Sequence, residues 1–351
     1  MRFIGTKEKL IPSILEAVAP TGLDKGRVCD LFSGTGVVAR NFKALGNETV
    51  TCDVLYFCYC MHRASVQNSL EPSFEGLSDV VTFSPSSIPL DNVIAHLDAL
   101  EPVEGFIYRN YTPEGTAGSD QERMFFTGHN GGRIDSIRQT IEAWLQDELI
   151  TEDEYFVLLA SLIETVPYYA NIAGVYAAFL KAYDPRALKP LRLRRPELCT
   201  GRPRGKAHLG DGTELVDAWG RFDLIYLDPP YNARQYGANY HLLETIARYD
   251  DPPIRGVAGL RDYSDQKSAF CNRETALRAL REIASGADYG HLLLSYNSEG
   301  IMPTDAIVET LSDFGTVEMK CIKHRKYKSN SRGPEGGART VDEQLFLLRR
   351  S

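Results

Sequence analysis

The apolar run Leu224-Ile225-Tyr226-Leu227 is stopped by Asp228-Pro229-Pro230-Tyr231, a junction that narrows the possible folds sharply. A short apolar run led in by Arg221-Phe222-Asp223 reads as a buried parallel strand. Proline has no amide hydrogen to give to a sheet, so two in succession turn the chain out at the strand's carboxyl end. Open α/β sheets bind ligands along that edge. The tetrapeptide would place a carboxylate, two rigid carbonyls without competing N–H groups and an aromatic ring in one cleft. An exocyclic amino group on a flat base needs that set: acceptors for its hydrogens and a face to stack on. Strand-ending turns use the same dipeptides, so the upstream residues decide between the two readings.

Those residues form a βαβ unit. Arg27 to Leu31 reads as a strand, Phe32-Ser33-Gly34-Thr35-Gly36 as a loop, Val37 to Leu45 as a helix, and Thr49 to Cys52 as a second strand ending at Asp53. Gly34-Thr35-Gly36-Val37-Val38-Ala39 fits the glycine-rich template, in which backbone approaches a ligand closely. Asp53 stands where an acid takes ribose hydroxyls. Alone, the loop is compatible with a dinucleotide. Asp30, beside it, would repel a pyrophosphate and suits a ligand carrying an ammonium and a sulfonium, as S-adenosylmethionine (SAM) does.

At 351 residues the chain exceeds one typical domain. The βα rhythm breaks after about residue 75, where helical periodicity takes over at Ile134 to Leu145, Glu152 to Glu164 and Ile172 to Lys181. It returns at Phe222, with a helix near Tyr240 to Arg248, a strand at His291 to Ser295 and a closing hairpin of Val317 to Lys323 with Gln344 to Leu348. The expectation is a sheet domain of residues 1–75 and 207–351, with 76–206 as a mainly helical insertion. No run of about 18 apolar residues suggests a membrane span, and Met1 to Lys7 lacks the apolar core of a signal peptide. Seven cysteines, an odd number, fit reduced thiols in a cytoplasm. Cys52, Cys58 and Cys60 read as packing residues, no His/Cys cluster has metal-ligand spacing, and no metal is expected.

The net charge of −8 argues against a generally adhesive polyanion binder, but the cations are concentrated. Nine lie between Lys181 and Lys206, among them Arg192, Arg194 and Arg195, against two acids. A second basic stretch, Lys323 to Arg332, holds Lys326 and Lys328 and no acid. Both are candidate contacts to phosphates.

Taken in order, Phe3-Ile4-Gly5-Thr6-Lys7, Asp30-Leu31-Phe32-Ser33-Gly34-Thr35-Gly36, Asp53 and Asp228-Pro229-Pro230-Tyr231 resemble the motifs of the Dam-like DNA adenine methyltransferases. Many of these are the modification halves of type II restriction–modification systems. Gly105 to Tyr111 and Asn171 to Tyr176 resemble the middle of one branch, so the likeness covers most of the chain. It implies a Rossmann-like SAM-dependent methyltransferase sheet with an inserted recognition domain. It also implies SAM as methyl donor and double-stranded DNA as substrate; a cognate restriction endonuclease is a possible partner that the sequence leaves open. Carried over by position, Phe3 and Lys7 contact SAM, with Lys7 at its carboxylate. Asp30, Phe32, Gly34 and Gly36 form the loop beneath the methionine moiety, Asp53 holds the ribose, and Asp211 reaches the SAM adenine. Phe3 replaces the tryptophan of Dam and keeps a stacking face. Asp228 and the Pro229 carbonyl accept the amino hydrogens of an adenine flipped out of the duplex, which stacks on Tyr231 beside Pro230. Two other readings remain at this point: an RNA adenine methyltransferase with the same tetrapeptide, and a DNA-binding subunit without catalysis. A cytosine enzyme would usually carry serine at position 228.

Overall fold

The computed structural model describes residues 5–325 and 340–350. Phe3, Lys326 and Lys328 lie outside the described residues. The chain divides into two compact units. One comprises residues 5–59, Gly201–Gly237 and the described chain from Ser264 onward; the other comprises Cys60–Thr200 and Ala238–Tyr263. Against the expected 76–206, the second unit thus begins at Cys60, ends at Thr200 and gains a later segment.

The first unit holds, among the described residues, a seven-stranded sheet. Its strands are β1 (Arg27–Asp30), β2 (Glu48–Asp53), β3 (Lys206–Leu209), β4 (Phe222–Leu227), β5 (Tyr289–Asn297), β6 (Gly315–Arg325) and β7 (Thr340–Arg350). Their order is β3-β2-β1-β4-β5-β7-β6. The first five are parallel and β7 runs antiparallel between β5 and β6. The chain leaves β1 toward β2 and β3, then re-enters on the other side of β1 as β4. The loops after β1 and β4 therefore open the crevice at which doubly wound sheets bind ligands.

Both faces of this sheet are covered, which is why β4 and β5 read as continuous apolar runs. Val28, Leu224, Tyr226 and Leu293 pack with Ile14, Val18, Val38 and Phe42 from the helices Ile11–Val18 and Val37–Ala44. On the opposite face Cys29, Ile225, Leu227 and Leu292 meet Leu280, Ile283, Ile307 and Leu311 from Ala276–Gly286 and Thr304–Ser312. The architecture is the expected Rossmann-like α/β sheet.

The second unit is mainly helical, with Pro89–Asp98, Gly128–Gln146 and Glu152–Thr165 its longest complete helices. Glu152–Thr165 is started by a capping box in which Thr151 and Glu154 satisfy each other's backbone amides. The helix expected over Ile172 to Lys181 does not form. Asn171, fully buried, donates to the Met124 and Leu180 carbonyls and accepts from the Asp184 amide, while Ile172 bridges Phe179 across a loop. Gly174 at φ +155° turns that loop. The apolar spacing there serves burial, and the Asn171 side chain ties the Leu180 carbonyl into the loop instead. Cys58 and Cys60 are buried, as is Cys52 in β2.

Candidate active site

The loop after β1 is held by side chains at both ends. Ser33 donates its hydroxyl to the Asp30 carbonyl at 2.5 Å and its amide to the Cys52 carbonyl at 3.1 Å. Gly34 and Gly36 sit at φ +49° and +70°, a region in which a side chain is strained. Asp53, at the end of β2, accepts the Gly34 amide on Oδ2 at 2.8 Å and the Leu55 amide on Oδ1 at 2.9 Å. The acid expected to hold ribose therefore also fixes the glycine loop. Phe32 lies edge-on to Phe270, with ring centroids 5.2 Å apart.

Asp30 is 1% exposed. Its Oδ2 accepts the Ala39 amide at 3.1 Å, in the first turn of the helix Val37–Ala44, but its Oδ1 has no hydrogen-bond partner among the described residues. Burial pushes this carboxyl well above the usual carboxylate range, and the nearby Asp228 and Asp53 carboxylates push it further, against the Ala39 amide. A buried acceptor without a partner costs free energy unless a ligand's donor or charge meets it. An ammonium group supplies both.

Beyond β3, Asp211 caps the short helix Gly212–Leu215, its Oδ1 accepting the Thr213 amide at 2.9 Å and the Thr213 hydroxyl at 2.7 Å. Gly212 is pressed against Leu31: a Cβ there would lie 2.7 Å from the Leu31 side chain. The loops after β1, β2 and β3 thus share one rim of the sheet.

At the end of β4, Asp228 receives a partner from the far end of the sequence. The Lys7 ammonium lies 2.9 Å from Asp228 Oδ1 and 2.6 Å from Glu343 Oε1, and Ser295 donates its hydroxyl to the same Glu343 oxygen at 2.6 Å. Burial opposes the Lys7 charge, but the two carboxylates outweigh it and hold the ammonium above its ordinary range. Burial pushes the Asp228 carboxyl up to about 6; Lys7 draws it back, and Glu343 adds to the rise. Tyr231 packs partly buried against the Phe270 side of the core and accepts the Ile301 amide on its carbonyl at 3.0 Å. Gly5, at φ +82°, lets the N-terminal segment pass the Tyr236 hydroxyl, which would lie 3.4 Å from any Cβ.

The structure brings Lys7, Asp30, Phe32, Gly34, Gly36, Asp53, Asp211 and the tetrapeptide to one edge of the sheet. Sequence reasoning missed Glu343 and Ser295. The one signal was a polar run, Asp342-Glu343-Gln344, opening an apolar strand. The structure also puts the two carboxylates on Lys7, where the resemblance had implied the SAM carboxylate. In the helical unit, Arg192 is exposed, Arg194 lies over the Tyr168 ring at 4.0 Å, and Arg195 meets Glu71 at 3.1 Å.

A sequence model described as "D12 class N6 adenine-specific DNA methyltransferase" matches residues 3–309. The type II methyltransferase M.FokI of Planomicrobium okeanokoites is 38% identical, over 100% of this chain and 53% of its own length. The modification methylase StsI of Streptococcus sanguinis is 35% identical, over 100% of this chain and 52% of its own. This chain thus spans about half the length of these two relatives. The type II methyltransferase M.NlaIII of Neisseria lactamica, 35% identical, is covered end to end by the whole chain.

Proposed function

The chain belongs to the D12 class N6 adenine-specific DNA methyltransferases, and on that premise we propose that it methylates the exocyclic amino group of adenine at a specific site in duplex DNA. The observation that carries this reading is the Asp228 carboxylate, set beside a buried, unpartnered Asp30 oxygen at one sheet edge.

The residues present fit SAM. Asp30 Oδ1 would take its ammonium, the Gly34–Gly36 turn its methionine backbone, Asp53 its ribose and the Asp211 loop its adenine. When bound, SAM supplies a methyl group on a sulfonium and is left as the neutral thioether. The protein's work lies on the other substrate. The amino lone pair of adenine is delocalised into the ring; Asp228 and the Pro229 carbonyl, by accepting its two hydrogens, favour a pyramidal nitrogen. As the N–CH3 bond forms the nitrogen becomes cationic, and a carboxylate pushed up to about 6 is placed to accept the proton it must lose. Tyr231 offers the stacking face for a base turned out of the duplex. Holding the reactants in line supplies much of the acceleration.

Incubation with methyl-labelled SAM and mixed-sequence DNA duplex together with RNA tests the reading. Label in N6-methyladenine at one recurring sequence supports it. Label in RNA alone would make this an RNA enzyme, and duplex binding without label a subunit without catalysis. Methylation at one sequence would protect DNA from an endonuclease of the same specificity, the partner this reading includes.

Asp53→Ala is expected to raise the dissociation constant for SAM ten- to a hundredfold, for the loss of about 1.5–3 kcal/mol of charge-assisted hydrogen bonding. The methylated sequence stays the same, and calorimetry giving wild-type affinity would remove Asp53 from the cofactor site. The helical unit is proposed to carry target recognition, with Arg192, Arg194 and Arg195 on phosphates. An exposed pair such as Arg195–Glu71 is weak enough to exchange for a phosphate. Converting all three to glutamine should weaken every duplex alike and flatten log affinity against log salt by roughly one unit per contact. New methylation sites at an unchanged salt slope would mean that the stretch reads bases.

A further inference from the structure

We propose that Glu343 is a positioning residue for methyl transfer: it occupies one side of the Lys7 ammonium, so that Asp228 holds only part of that cation and stays a strong acceptor for the adenine amino group. The proposal rests on the methyltransferase reading above. Glu343 lies beyond residues 3–309, the span that the family's sequence model matches.

The geometry is that of a shared cation. Lys7 stands closer to Glu343 (2.6 Å) than to Asp228 (2.9 Å), and Ser295 donates to the same Glu343 oxygen. Glu343 cannot drift toward Asp228, because β7 lies between β5 and β6 and pairs residue by residue, Glu343 opposite Asn297 and Ile322. Its side chain is 6% exposed, and Lys7's 8%. Burying two carboxylates around one ammonium is not a stability device, since apolar residues of similar volume usually serve a core as well or better.

The arrangement suits the reaction. One ammonium between two carboxylates leaves a net charge of −1 in the cleft. The amino nitrogen turns cationic as it bonds carbon, and fixed negative charge aimed at it favours that state. An Asp228 alone with Lys7 would be a closed ion pair whose lone pairs are already spent on the ammonium. The other charged or titratable groups facing the pair are Asp30 at the end of β1, Tyr226 in β4 and Tyr231 after it, with Arg234 beside Tyr231. Beside these, Lys7 is the group that joins both carboxylates directly.

The test is the pH profile of kcat for the full chain with saturating SAM and duplex, in wild type, Glu343→Gln and Glu343→Asp. With glutamine, Lys7 turns wholly to Asp228. The acid limb should move down by about one pH unit and kcat on the plateau should fall about tenfold. Dissociation constants for SAM and duplex should stay within about twofold. Glu343→Asp keeps the charge but falls short of the ammonium, and both changes should be intermediate. A glutamine variant that only melts earlier, with kcat and acid limb as in wild type, overturns the proposal. If that variant does not fold, an aspartate variant with an unmoved limb and full kcat overturns it equally. A wild type that transfers no methyl group removes the methyltransferase reading itself, whereas an active wild type with insensitive variants removes only the role of Glu343.

Discussion

Asp228→Ala is expected to lower kcat for methyl transfer by about a thousandfold or more while duplex and SAM dissociation constants stay near wild type. The carboxylate sits at the end of β4 with one oxygen on Lys7, and its work is done on a nitrogen that becomes positive only as the reaction proceeds. An interaction that strengthens on the way to the transition state appears in kcat and hardly in binding. The same variant should melt no lower than wild type at pH 8. Burial raises the Asp228 carboxyl to about 6 from an ordinary 3.8, so the fold favours its neutral form. For a carboxyl shifted in that direction, stability is gained below the unfolded value and lost as pH rises through the folded one. At pH 8 the ionised side chain is therefore a burden that alanine lifts, while Lys7 keeps Glu343 as its counter-charge. Single-turnover rates and melting curves on one preparation decide the matter. Near-normal turnover would end the proposed mechanism, and a large drop in melting temperature would show that Asp228 holds the fold together instead.

What the sequence made legible is what depends on neighbouring residues. Two prolines end a strand wherever they occur, and glycines at positive φ mark a tight turn whatever surrounds them, so β4, the β1 loop and their common edge could be placed in advance. Asp53 was legible by position, but its hold on the Gly34 amide was not, because that depends on how β1 and β2 stagger. Arg195 read as a candidate phosphate contact, and nothing local showed that Glu71, 124 residues away, would lie beside it. The segment from Ile172 to Lys181 carried helical spacing, yet it folds as a loop whose end is tied by a buried asparagine to the Leu180 carbonyl. Glu343 was the hardest to see. It meets Lys7 across 336 residues, and nothing near either residue announces the other. Local chemistry could be read directly; charge pairing across the sheet could not.

That long-range pairing carries a large expected stability effect. Lys7→Met should destabilise the fold by about 3 kcal/mol at pH 8, the low end for removing one partner from a buried ion cluster. The low end is appropriate because Asp228 is 20% exposed and partly screened by water. Methionine fills a similar volume, so the loss reports charge rather than a cavity. Without the ammonium, Asp228 and Glu343 face each other as like charges in a desolvated cleft, and the Asp228 carboxyl, already raised by burial, loses the cation that draws it back. Groups shifted upward regain stability as pH falls toward the unfolded value. The deficit against wild type should therefore shrink steadily from pH 8 to pH 5. Adding Glu343→Gln to Lys7→Met should recover much of it at pH 8, because one of the two uncompensated charges is then gone. Urea unfolding at the two pH values, for the single and double variants, measures this. An equal deficit at pH 5 and pH 8, or no recovery in the double variant, would mean that Lys7 supports the fold through its packing and that the two carboxylates do not depend on its charge.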